Sequence, residues 1–167
     1  MNILRTATLP EIEQVLTDLG GGNHIDNMNV LKSFSGYFLI ELLKDEFFDL
    51  VFLQNKEVVT ICPPEQDRRL RAVALRAIST STNVLSSNWD LGLIKKLTEE
   101  LLWRPTISPL VLRDTRQSEC KNGSWYIQDG AHRALGYAMA LLSSPISYTP
   151  VQAYCATVRN GHVEAIG

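Results

Sequence analysis

Residues 125–142 read WYIQDGAHRALGYAMALL, and the change of character at Asp129-Gly130 decides how the chain around it is laid out. Trp125, Tyr126 and Ile127 carry the aromatic and β-branched side chains that suit a pleated strand. Gly130 has no Cβ, so the backbone can turn sharply there and approach a ligand closely. The residues from Ala131 to Leu142 are mostly apolar and read as a buried helix. The order is therefore strand, tight turn, helix. The first turn of such a helix offers unpaired N–H groups and the positive end of its dipole. Asp129, His132 and Arg133 crowd into it, placing a carboxylate, an imidazole and a guanidinium where an anion would sit. A blander arrangement uses the same residues: Asp-Gly is a common turn before a helix, and Asp129 can cap the helix and pair with Arg133.

Working outward, SPLVLRD at 108–114 reads as a strand and 124–128 as its partner, joined by a polar turn at 115–123. Asp114 and Arg116 on that hairpin are expected at the rim of the site. Upstream lies a helix over 89–102, capped by Ser87 or Asn88, with Leu93, Ile94, Leu97 and Leu101 on its buried stripe and Pro105 to end it. Downstream, TPVQAYCATV at 149–158 alternates as a strand does, and 161–166 suggests a short further strand. Tyr137 and Trp125 read as core residues.

The first half begins with a short strand at 2–7. Thr8-Leu9-Pro10-Glu11 forms a capping box, and Ile12, Val15, Leu16 and Leu19 mark one face of the helix it starts. GGGNHIDN at 20–27 lacks the spacing of a phosphate loop, and its glycines follow a helix instead of preceding one. His24 and Asp26 are read as loop residues. Strands are expected at 36–43, 48–54 and 57–62, the last two joined by a tight turn at Asn55-Lys56. A helix over 65–79 puts Leu70, Val73, Ala74, Leu75, Ala77 and Ile78 on a wide apolar side and Arg68, Arg69 and Arg76 together on the other. That basic face is either a solvated surface or a docking surface for nucleic acid or an acidic protein. Residues 79–88 form a polar connector.

Composition removes several classes. A formal charge of −2 argues against nucleic-acid binding as the main role, because dedicated DNA binders carry a basic excess. Cys62, Cys120 and Cys155 contain no CxxC pair, so neither a disulfide framework nor a zinc knuckle is indicated. No apolar run reaches membrane-spanning length, and the N-terminus has no signal-like hydrophobic core. A cytoplasmic α+β protein, one domain with a mixed sheet, is the expectation.

The second half carries a resemblance. Pro105 after a helix, Leu110-Val111-Leu112, Asp129-Gly130-Ala131-His132-Arg133, the small residues Ala134 and Ala138, and Thr149-Pro150-Val151 together resemble the ParB/sulfiredoxin fold. It covers about seventy residues, 89–158, with 1–85 as an N-terminal helix and strand extension. The family includes partition proteins that bind CTP, sulfiredoxins that use ATP, free-serine kinases, ParB-like nucleases and plasmid fertility-inhibition proteins. The resemblance implies a nucleotide, ATP or CTP, whose phosphate meets Gly130, Ala131, His132 and Arg133. It makes Asp129, His132 and Arg133 the candidate catalytic residues, with Asp129 the candidate ligand for Mg2+. Two departures narrow this. Ala131 stands where sulfiredoxins carry their nucleophilic cysteine, and it also removes the acidic member of the partition-type turn. The functions left open are a nucleotide phosphohydrolase, phosphotransferase or nuclease at residues 129–133, and a non-catalytic inhibitor or regulator, of plasmid or phage type, acting on a protein partner through Arg68, Arg69 and Arg76.

Overall fold

The computed structural model describes residues 1–19, 24–52, 61–63, 65–80, 91–114 and 125–158. Its first helix starts as the sequence demands. After strand β1 (Asn2–Thr6), the Glu11 amide donates to Thr8 Oγ1 at 3.4 Å and the Thr8 amide donates to Glu11 Oε2 at 2.7 Å, closing the capping box of α1 (Leu9–Asp18). A second helix, α2 (His24–Leu31), follows where the sequence reading has a loop. Its buried Met28 and Leu31 belong to one cluster with Ile12 and Leu16 of α1. Packing on α1 thus outweighs the turn-forming character of the residues before it. Next come β2 (Gly36–Leu42), a short helix α3 (Lys44–Phe48) and β3 (Val51–Phe52). The strand expected over 48–54 is thus shorter and begins later: Glu46 Oε2 accepts the Leu43 amide at 2.7 Å, which turns the chain into α3 and buries both Phe47 and Phe48. The tight turn at Asn55-Lys56 lies outside the described residues, and Ile61 and Cys62 form a turn in place of a strand end.

Helix α4 (Leu70–Ser79) starts five residues later than expected. The preceding residues are held extended against the sheet: Phe52 N–H donates to the Arg68 carbonyl at 3.0 Å and Leu70 N–H to the Leu50 carbonyl at 2.7 Å. Asp67 also accepts from the Arg69 amide at 2.9 Å, a local turn that competes with helix. The chain continues through α5 (Leu91–Trp103), β4 (Leu110–Asp114), β5 (Trp125–Asp129), α6 (Ala131–Ser143) and β6 (Val151–Thr157), the order expected of the second half.

These strands form one mixed sheet in the order β1-β2-β6-β4-β5-β3. β6 runs antiparallel to β2 and parallel to β4, while β5 is antiparallel to β4 and parallel to β3. Side chains alternate across the sheet, as the pleat requires. Leu110, Leu112, Val151, Ala153 and Cys155 join the larger core with α3, α4, α5 and α6. Val111 and Ala156 join the smaller core under α1 and α2. Both faces are covered, and the whole is a single α+β domain. Helix α6 is the most deeply set: every residue from Ala134 to Leu141 is buried. Its small residues permit this, since a Cβ at Gly136 would lie 3.3 Å from Leu97 of α5.

Candidate functional site

The antiparallel register of β4 and β5 places Asp129 opposite Val111, so the turn opens at the end of the sheet where β4 begins. Gly130 has φ +91°, the left-handed region, and acts as the N-cap of α6 with no side chain capping the helix. The turn therefore asks for glycine on backbone grounds. It asks for it on steric grounds too: a Cβ at Gly130 would lie 2.7 Å from both Arg133 Nη2 and Leu110 Cδ2.

Arg133 lies folded across that glycine. Its Nη2 donates to Asp129 Oδ2 at 3.0 Å and, more weakly, to the Pro109 carbonyl at 3.4 Å. Its Nε is buried with no hydrogen-bond partner among the described residues. An orphaned buried donor costs about 1–3 kcal/mol, so the guanidinium is held in a pose that leaves donor capacity unmet. Asp129 and Arg133 are each about one-fifth exposed, at 20% and 22%. His132 is an exposed residue beside them, and the Ala134 amide makes the first helical bond, to the Gly130 carbonyl at 2.9 Å. The structure thus brings Asp129, Gly130, Ala131, His132 and Arg133 together in one turn, with the ion pair of the blander arrangement formed.

Other residues expected near the turn lie elsewhere. Asp114 pairs in register with Trp125, at the opposite end of β5 from Asp129, so it is not at this rim. Arg116 is outside the described residues. Tyr137 is buried, as expected; its hydroxyl accepts the Thr149 amide at 2.7 Å and fixes the approach to β6. Among the described residues, no group of three or more His, Cys, Asp or Glu side chains could hold a metal ion. Cys62 and Cys155 are buried, and burial pushes both thiols up, away from the thiolate form.

The three arginines of the expected basic face do not form one row, because only Arg76 lies within α4. It donates from Nε to the Ile61 carbonyl at 2.6 Å and from Nη2 to the Asp67 carbonyl at 2.5 Å. Arg69 pairs with Asp67 at 2.7 Å and with Asp49 at 3.6 Å. That contact holds the Asp67 carboxyl below its usual value. Arg68 reaches the Tyr126 hydroxyl at 3.3 Å.

A second polar cluster escaped the sequence reading. On the sheet face toward α2, Arg113 is 7% exposed and lies over the Tyr126 ring, 4.7 Å from its centroid. Its Nε donates to Gln128 Oε1 at 3.0 Å, and Gln128 Nε2 donates to Asn27 Oδ1 at 2.8 Å. The signal was present in LVLRD: a charged residue at an inward position of a strand covered on both faces. The chain has no match among protein-family models, curated proteins or solved structures.

Proposed function

We propose that this protein binds the phosphate groups of a nucleotide, ATP or CTP, at the turn that begins α6. The observation that carries this reading is the left-handed Gly130 at an N-cap with no capping side chain, beside an arginine whose buried Nε has no partner. Amides at a helix start attract oxyanions through unpaired N–H groups and the helix dipole. A guanidinium adds a planar fork that matches two phosphate oxygens, which lysine cannot reproduce. His132, exposed in the first turn, would serve as the proton donor or acceptor for such a phosphate. One carboxylate can hold Mg2+ when phosphate oxygens and waters supply its other ligands; Asp129 would be the residue for it, on release from Arg133. Bound there, magnesium would neutralise phosphate charge. Hydrolysis, phosphotransfer or nuclease action at residues 129–133 belongs to this proposal as the catalytic form of the site.

The test is equilibrium binding of ATP and CTP, with and without Mg2+, to wild type, His132→Ala and Arg133→Ala. Saturable binding that Arg133→Ala lowers by about tenfold or more while leaving the melting temperature in place is the expected result. Equal affinity in the wild type and Arg133→Ala discards the site. Turnover that His132→Ala abolishes, with binding kept, would assign catalysis. The alternative, a regulator that captures a protein or nucleic acid through Arg68, Arg69 and Arg76, has less in its favour, since those guanidiniums point to different partners within the chain.

A further inference from the structure

We infer that Asp129 is an internal competitor for the ligand: its carboxylate occupies the Arg133 guanidinium until a phosphate displaces it. The inference rests on the phosphate-binding reading and adds how that site is regulated. Its ground is the form of the ion pair. A carboxylate and a guanidinium at their best share two parallel hydrogen bonds. Here Asp129 takes one, through Oδ2 to Nη2 at 3.0 Å, while Nε of the same guanidinium is buried without a partner. The second contact of Nη2, with the Pro109 carbonyl at 3.4 Å, is long. The arginine is therefore held by a partner that uses only part of its fork. Swung out from over Gly130, the guanidinium can offer Nε and Nη2 together to two oxygens of an oxyanion; both donors are then satisfied, and Asp129 is released.

The two anions cannot share the site at no cost. Asp129 immediately precedes the N-cap glycine, so its charge repels any phosphate on the α6 amides. Phosphate binding and the Asp129–Arg133 pair are in this way mutually exclusive, and the pair raises the apparent dissociation constant of the site by a constant factor. Gly130 makes the exchange local, because the guanidinium rests on a position with no Cβ to block its movement.

The experiment measures tripolyphosphate binding by calorimetry in EDTA, which removes any role of Asp129 as a metal ligand. Wild type, Asp129→Asn and Arg133→Ala are compared. Asp129→Asn keeps the side-chain shape and removes the competing charge, so it binds tripolyphosphate about threefold to tenfold more tightly than wild type. Arg133→Ala loses binding. Equal or weaker binding by a folded Asp129→Asn, with the wild type binding normally, overturns the competitor role and leaves the phosphate site standing. Absence of binding in both the wild type and Asp129→Asn overturns the phosphate site itself. A readout on the unaltered protein covers the case in which Asp129→Asn does not fold. The arginine Nε–H resonance, assigned through Arg133→Lys, shifts on titration with tripolyphosphate if the guanidinium changes partner. It stays in place if the pair persists.

Discussion

Gly130 is the residue on which the site depends, for two separable reasons. Its left-handed backbone would strain any other residue, and its missing Cβ leaves room for Arg133 Nη2 and Leu110. Gly130→Ala is expected to lose about 2 kcal/mol from the backbone alone, read by urea denaturation, with a further loss from the displaced guanidinium. The glycine was legible in the sequence because Asp-Gly before a helix has few conformations. The Asp129–Arg133 pair was legible in the same way; the fold of the guanidinium over Gly130 was not, since it depends on Pro109 and Leu110, brought there by strand pairing. Arg76 teaches the same lesson. It was grouped with Arg68 and Arg69 by spacing, yet it clasps the carbonyls of Ile61 and Asp67. Arg76→Ala should therefore destabilise the fold by about 1–3 kcal/mol, beyond the few tenths typical of a surface change. A melting temperature unchanged by that substitution would return Arg76 to the solvated surface.

Among the elements, α6 is set by what it can bring close. Small residues on its buried length let it pack against both α4 and α5, and Gly136 faces Leu97 and the Ile94 carbonyl. Gly136→Val would force the two helices apart at a cost of about 1–3 kcal/mol, measurable by thermal unfolding. Weakened phosphate binding in the same variant is the expected second effect, because α6 carries the site on its first turn. Elements with strong local signals were readable from sequence: the capping box of α1, the stripe of α5 and the strand–turn–helix at β5 and α6. The start of α4 differs because Glu65-Gln66-Asp67-Arg68-Arg69 after Pro64 holds no residue that breaks a helix, while residues 68–70 are claimed by hydrogen bonds to Leu50 and Phe52. Helix α2 was missed because its apolar residues make sense only against α1. Pairing partners distant in sequence decide such cases, and spacing cannot reveal them.

At the scale of the whole molecule, stability should fall in alkali. Burial pushes the Tyr148 phenol well above its ordinary value of 10.0, with Tyr137, Glu46 and Glu41 adding to the effect. Tyr37 is raised by burial as well. A raised folded-state value means stability present in full below pH 10 and lost as the pH rises, because the unfolded chain ionises first. Tyr148→Phe should therefore flatten the decline of unfolding free energy between pH 10 and 12. Its overall level drops separately, through loss of the hydroxyl's 2.8 Å bond to the Leu42 carbonyl. A slope identical to wild type would place the alkaline sensitivity elsewhere.

The position of β6 reaches beyond equilibrium. It lies between β2 and β4, pairing residues 36–42 on one side and 110–113 on the other. During synthesis β2 emerges early and waits, its inner edge open, until residue 157 has cleared the ribosome. A nascent chain stalled before β6 offers that edge, with Phe38, Leu39 and Ile40, to chaperones or to other nascent chains. The timing of translation through residues 151–157 thus becomes a determinant of yield.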